Sequence, residues 1–279
     1  MPLLLSLRLV TGVLFLFLAQ PNVEAPPTTA PVPLPEGPIE LRGGVHVEVV
    51  GIAAFPARNG WHTADGKPAP DPSGNFGPLS LLGGAPRDPT HQLAVLTLAP
   101  EAAVRVAVPQ AEMTVSNTAA GGDDPAEVLH LLRFALFDGK DAADLVVQIA
   151  DGPWEQVVEA NIETPDWEGR LQGSSHGAVV ISDMVPDVEG GIAVWVVTEL
   201  ADGEWRVVAI NDAGELVQAS RRSTSASGRI KAARVAFPLE RADVRAFRIE
   251  HRPFNKRVVI RNLTLDAARP TRPEVEITE

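Results

Sequence analysis

The sequence predicts an all-β protein with few short helices, sandwich-like and built as two packed lobes. Three observations carry that expectation. Apolar residues come in short runs, several of them alternating with polar ones as a half-buried strand does. The chain holds 25 Pro and 23 Gly among 279 residues, which favours many short elements joined by turns over long helices. Such strands must bury one face against another sheet, so they close into sandwiches or barrels.

In chain order, Met1 to Arg8 carries one positive charge, and an apolar run over residues 9–19 follows. That run is shorter than the roughly 20 residues needed to span a membrane. Val23-Glu24-Ala25 places small residues where a signal peptidase reads them. Residues 1–25 therefore read as an export signal peptide, with an uncleaved N-terminal anchor as the alternative. The expected location is periplasmic or extracellular, in a bacterium. Residues 26–40 read as a Pro-rich linker, since six prolines between 26 and 39 favour extended polyproline geometry.

A first β lobe is expected over 41–163, with a long ordered loop at 56–90 that Trp61, Phe76 and residues 79–82 pin down. Its first strand, 41–55, puts Val45, Val47 and Val49 on one face and His46 and Glu48 on the other. Strands follow at 92–98 and 104–108. Residues 125–137 suit either a helix or a strand: Asp123-Asp124-Pro125 resembles a helix start, yet Leu129, Leu131, Phe134 and Leu136 fit a strand. Strands at 145–149 and 156–159 flank the turn signal Asp151-Gly152-Pro153-Trp154.

A second β lobe is expected over 164–268. Strands are read at 178–182, 192–198, 205–211, 215–219, 235–237, 244–249 and 257–265. Asp202-Gly203 supplies the positive φ of a tight hairpin between the second and third of these. Residues 269–279 read as a flexible tail. Trp195 and Trp205 lie within strands and are expected in the core.

Composition excludes several classes. Lys+Arg number 24 against Asp+Glu 36, for a net charge of −12, so a nucleic-acid partner is disfavoured. With no Cys there are no disulfides, Cys-type zinc sites, iron–sulfur clusters or thiol nucleophiles. The charge is uneven: residues 221–272 hold 14 basic and 4 acidic residues, whereas 26–220 hold 9 and 28. Two readings follow, a basic face toward anionic polymers or basic strands paired with acidic ones, and the second is preferred because Arg245 and Arg248 do not share one strand face.

Chemical motifs are sparse. Gly173-Ser-Ser-His-Gly177 matches G-x-S-x-G with Ser175 in the nucleophile position, but that elbow needs a following helix and here a strand-like Ala178-Val-Val-Ile181 follows. A flexible turn is expected instead. The six His residues are isolated, with no metal-ligand spacing, and the Asp138, Asp141, Asp144 run lacks the alternating oxygen ligands and closing Glu of a calcium loop. No metal and no cofactor are expected.

Several short pieces together resemble a known group. Val45-His-Val-Glu-Val-Val-Gly-Ile52, then Pro56, then Trp61-His-Thr-Ala-Asp-Gly-Lys-Pro68, is followed by Ala150-Asp-Gly-Pro-Trp154, by Arg206-Val-Val-Ala-Ile210 with Gly214, and by Phe247-Arg-Ile-Glu-His-Arg-Pro-Phe254 leading into Val259-Ile-Arg-Asn-Leu263. This order is similar to an uncharacterised extracytoplasmic β-domain family of planctomycete-type bacteria, often attached to membrane-anchored regulators of the anti-sigma or BlaR-like metallopeptidase kind. The resemblance implies Trp61, Asp65, Gly66 and Arg252 as candidate ligand-binding residues, with Asp151 and Trp154 next. Each has a plainer role in turn geometry or core packing, and for Trp61 a loop anchor is preferred over a stacking platform. The expected function is an exported, non-catalytic β-module for binding or assembly at the cell envelope, its partner an envelope protein or glycan. The alternative is a carbohydrate-active or hydrolytic enzyme using acidic residues in a cleft.

Overall fold

The structure, a computed structural model, describes residues 29–54, 60–72, 91–120, 126–136, 141–162, 170–174, 177–200, 202–227 and 230–279. The signal segment 1–25, most of the 56–90 loop, Trp167 and Ser175 lie outside the described residues.

The first ten strands are β1 (Val32–Pro33), β2 (Ile39–Leu41), β3 (Val45–Ala54), β4 (Trp61–His62), β5 (Pro68–Ala69), β6 (His91–Leu98), β7 (Ala103–Ala107), β8 (Ala111–Ala120), β9 (Glu127–Leu136) and β10 (Ala142–Ala150). The next ten are β11 (Glu155–Asn161), β12 (Arg170–Ser174), β13 (Gly177–Ile181), β14 (Val185–Pro186), β15 (Ile192–Leu200), β16 (Gly203–Asn211), β17 (Leu216–Gln218), β18 (Arg221–Ser227), β19 (Ile230–Phe237) and β20 (Val244–Pro253). Two more, β21 (Lys256–Thr264) and β22 (Glu274–Thr278), end the chain. The fold is all-β, as expected, and among the described residues every strand pairing is antiparallel.

The strands form two sandwich lobes. In the first, a five-stranded sheet in the order β1-β22-β21-β10-β7 packs on a seven-stranded sheet ordered β5-β4-β3-β6-β9-β8, with β2 beside β3. Val45, Val47, Leu93, Leu132 and Phe134 of one meet Leu145, Val147, Val258 and Ile260 of the other. In the second lobe, a four-stranded sheet ordered β11-β20-β16-β17 packs on a six-stranded sheet ordered β12-β13-β15-β19-β18, with β14 beside β15. Its core joins Val207, Phe247 and Ile249 to Val179, Val194, Val196 and Phe237. The Phe237 and Phe247 rings sit 5.5 Å apart.

Local sequence explains the strands that were legible. In β3, Val45 and Val47 face the inter-sheet core; the register then shifts between Val49 and Gly51, a bulge after which Ile52 faces inward and Ala53 outward. Residues 127–136 resolve as strand β9. The ambiguity arises because β9 is buried on both faces: Leu132 and Phe134 enter the main core, and Leu129 and Leu131 lie beneath Trp61. Such a strand loses its period-2 signature.

The domain boundaries differ from expectation. The second lobe is inserted into the first: the chain leaves after β10, builds both sheets of the second lobe, and returns with β21, which pairs with β10. So β11, read as first-lobe, pairs with β20, and residues 257–265, read as second-lobe, complete the first. The tail is also corrected. Val275 and Ile277 alternate with Glu274 and Glu276 in β22, and Val275 is buried against the core. The Pro-rich segment is more than a spacer, because β1 pairs with β22, and Ile39 and Leu41 of β2 are buried.

The 202–203 hairpin is corrected too. Strands β15 and β16 belong to opposite sheets of the second lobe, so the link between them leads from one sheet to the other, with Asp202 exposed. Gly203 is needed there for close approach: a Cβ would overlap the His251 ring and lie 2.6 Å from the Arg252 carbonyl oxygen. Gly203→Ala is therefore expected to cost about 2–3 kcal/mol, read as a lower urea midpoint with an unchanged slope.

Candidate functional site

Three of the six residues implied by the resemblance, Asp151, Trp154 and Arg252, gather where the chain crosses between lobes. Trp154 is sandwiched between two guanidiniums, Arg206 and Arg252, each 4.4 Å from its ring centroid. Arg252 donates from Nη1 to the Glu101 carbonyl oxygen at 2.7 Å, which ties β20 to the turn after β6. Asp151 accepts from Asn255 Nδ2 at 2.7 Å and pairs with Lys256 Nζ at 2.5 Å. The Asp151 backbone N–H donates in turn to Asn255 Oδ1 at 3.2 Å. Burial pushes the Asp151 carboxyl up, but Lys256 and Asn255 outweigh it and hold the group below its ordinary range. Asp151, Asn255 and Lys256 are bonded to one another, so the cluster serves as a clasp between the outgoing and returning strands.

The other three lie elsewhere. Trp61 is 9% exposed and packs on Gly51, where a Cβ would meet its ring at 2.9 Å. It is the loop anchor, with Ala53, Ala94, Leu129 and Leu131 around it. Asp65 sits in a turn, bonded by the Thr63 hydroxyl and paired with Lys67 at 2.9 Å. The Thr63 hydroxyl, then Lys67, bring its carboxyl down to about 2. Gly66 has φ +86° and abuts the Ala267 carbonyl oxygen, so its role is turn geometry. Asp65 lines a hollow of about 390 Å³ with Leu34, Ile39 and Val49, apart from the crossing cluster.

The basic C-terminal segment is stitched to the acidic body. Arg221 and Arg234 share Asp187, whose side chain is 3% exposed. Arg248 pairs with Glu159 at 2.9 Å, Arg222 with Glu204 at 3.2 Å and Arg269 with Asp141 at 2.5 Å. The preferred reading of the uneven charge, mixed intramolecular pairing, matches these contacts.

Two features escaped sequence reasoning. The first is an exposed apolar face on the six-stranded sheet. Trp195, read as core, is 51% exposed. In β15, residues 194, 196 and 198 point inward while Trp195, Val197 and Glu199 point out. Val197 lies opposite Val180 of β13 and Ala232 of β19, and Trp195 lies opposite Arg234. Exposed Ile230 sits two residues beyond Ala232 on the same face of β19. The alternation of 194–199 was readable; which half faced the core was not.

The second is a cleft of about 750 Å³ between the lobes, where β7, β8, β18 and β19 approach the start of β16. Arg105, Arg222 and Lys231 line it together with Glu204. Asp202 at its margin takes Arg105 Nη1 at 2.7 Å and Gln148 Nε2 at 3.1 Å, so two neighbouring first-lobe strands grip this second-lobe carboxylate.

No family model, curated protein or solved structure matches this chain. The site must therefore be judged on its own chemistry. Among the described residues no group of three or more His, Asp or Glu is placed to hold a metal ion. Residues 175–176, with Ser175, lie outside the description, but the flanking β12 and β13 pair directly, Ser174 opposite Gly177. The nucleophile-elbow requirement of a helix after the turn is not met, since β13 follows.

Buried His130 donates to or accepts from Thr97 Oγ1 at 3.0 Å, and burial pushes its imidazole from 6.5 to about 4. The unfolded chain then takes up a proton near 6.5 that the folded chain refuses until about 4. Stability is therefore expected to fall as pH drops through that window, by about 3 kcal/mol in all. Urea midpoints measured from pH 7 to 4 should show the fall, and His130→Leu should show less of it. The contrast between tryptophans is equally open to test. Trp195→Ser should change unfolding free energy by less than about 0.5 kcal/mol. Trp205→Ala, at a side chain 2% exposed, should cost about 3–5 kcal/mol.

Proposed function

We propose that this chain is an exported, non-catalytic β-module for binding or assembly at the bacterial cell envelope, and that a protein partner docks on the Trp195 face. Export rests on the apolar run at 9–19 and the Val23-Glu24-Ala25 site, together with the resemblance to an extracytoplasmic β-domain family. Binding rests on one observation, the row of Val180, Val197 and Ala232 across three strands with Trp195 half-exposed beside it. A half-exposed Trp among aliphatic residues, rimmed by Glu199 and Arg234, has the composition of an interface core inside a polar rim.

A protein is favoured over a glycan because the polar side chains beside Trp195 are already engaged, Arg234 opposite it by Asp187 and the Ser182 hydroxyl by the Trp195 N–H, and the face continues into Val197, Val180 and Ala232. The enzyme alternative has weaker support. Acid–base hydrolysis needs two carboxyls with distinct protonation roles. The two carboxylates at the cleft, Asp202 and Glu204, are each ion-paired with an arginine.

A photo-crosslinking residue at position 197 supplies the test, in envelope preparations of the source bacterium. The expected result is one dominant protein adduct, identified by mass spectrometry, whose yield drops at least tenfold in a Trp195→Asp background. An adduct unaffected by that substitution, or saturable binding to glycans with no protein adduct, would overturn the proposal.

A further inference from the structure

We propose that the cleft between the lobes binds a small ring-bearing oxyanion, such as an acidic sugar or a sugar phosphate. This goes beyond the docking face, which lies on a different set of residues. Three cations converge on the cleft from both lobes: Arg105 from β7 of the first, Arg222 from β18 and Lys231 from β19 of the second. The carboxylates facing them are Asp202 and Glu204. The balance at the cleft is three cations against two anions, in a chain whose net charge is −12.

The donors are not exhausted by those partners. Arg105 gives Nη1 to Asp202, and Arg222 gives Nη1 to Glu204 and to the Trp205 carbonyl oxygen, whereas a guanidinium carries five N–H donors. Arg222 is also held by Trp205, its guanidinium carbon 4.3 Å from the ring centroid. Lys231 donates to the Gly203 carbonyl oxygen at 3.1 Å, and among the described residues no carboxylate lies within ion-pair distance of its ammonium. Burial pulls the Lys231 ammonium below its ordinary value; Asp202 and Glu204 raise it, and Arg105 and Arg222 lower it. An entering oxyanion relieves that like-charge crowding and takes up the unused donors.

Size and lining set the rest of the ligand. About 750 Å³ suits a molecule of drug or disaccharide dimensions, far larger than a free inorganic ion. Phe254, Val104 and Val106 supply apolar wall for a ring body, and Thr118 and Thr224 supply hydroxyls for its polar edge. Both lobes contribute, so a bound ligand also bridges them.

Isothermal titration of the full mature chain with glucose-1-phosphate, glucuronate and neutral glucose tests the idea. Saturable binding of at least one charged probe, with glucose inert, is expected, and the preferred probe distinguishes a phosphoryl from a carboxylate ligand. Lys231→Met and Arg105→Gln should each weaken that binding at least tenfold, while Trp195→Asp leaves it unchanged. Two single variants at opposite walls guard against loss through misfolding, since each is checked by its own thermal transition. Equal binding of glucose and the charged probes, no binding of either charged probe, or affinity unchanged in both cleft variants would overturn the proposal.

Discussion

The architecture depends on one clasp, the ion pair between Lys256 and Asp151 with Asn255 beside it. These residues stand where the chain leaves the first lobe and where it returns, so the clasp closes a loop that contains the whole second lobe. Lys256 is buried and also donates to the Arg42 carbonyl oxygen, which ties in the turn ahead of β3. A buried charge without its partner is costly, so each member constrains the other. With the crossing fixed, Trp154 and Arg252 stack against it, Arg252 reaches Glu101, and Arg105 and Gln148 reach Asp202. Those bridges hold the lobes apart at the distance that leaves a cleft.

Charge does a second kind of structural work. The acidic body and the basic C-terminal segment form ladders across neighbouring strands, Arg206 to Glu250 and Arg248 to Glu159 on one face of the four-stranded sheet. The partly exposed Arg248–Glu159 pair contributes little by itself, while the Glu250 carboxylate is buried against its arginine. Asp187 is different, because its buried carboxylate is shared by Arg221 and Arg234 and fastens β14 over the six-stranded sheet. At the cleft the pairing leaves one cation over, and that local excess is invisible in a net charge of −12.

Much of the fold was legible and much of the site was not. Strands with one buried face, such as β3 and β10, show their alternation openly. The edge strands β8 and β18 consist mainly of Ser, Thr, Asn, Ala and charged residues, so they carry little apolar pattern to detect. Asp151, Trp154 and Arg252 were singled out by motif and do meet, though as a clasp between crossings. Trp61 is the loop anchor its setting favoured, whereas Trp195, read as core, faces out. A Trp in a polar loop can fold back onto a glycine-made notch, as Trp61 does on Gly51, while a Trp in a strand takes whichever face its register assigns.

The amino-acid sequence by itself determined the fold class, the positions of the one-sided strands and the likeness of its first 25 residues to an export signal. These are local properties, set by alternation, turn residues and composition within a few positions. Only the tertiary structure decided that the second lobe is inserted in the first, that Asp202-Gly203 leads from one sheet to the other instead of closing a hairpin, and that Arg105, Arg222 and Lys231 share one cleft. The reason is separation: those arrangements join residues about a hundred positions apart, and pairing between sheets leaves no mark in the local pattern of either strand.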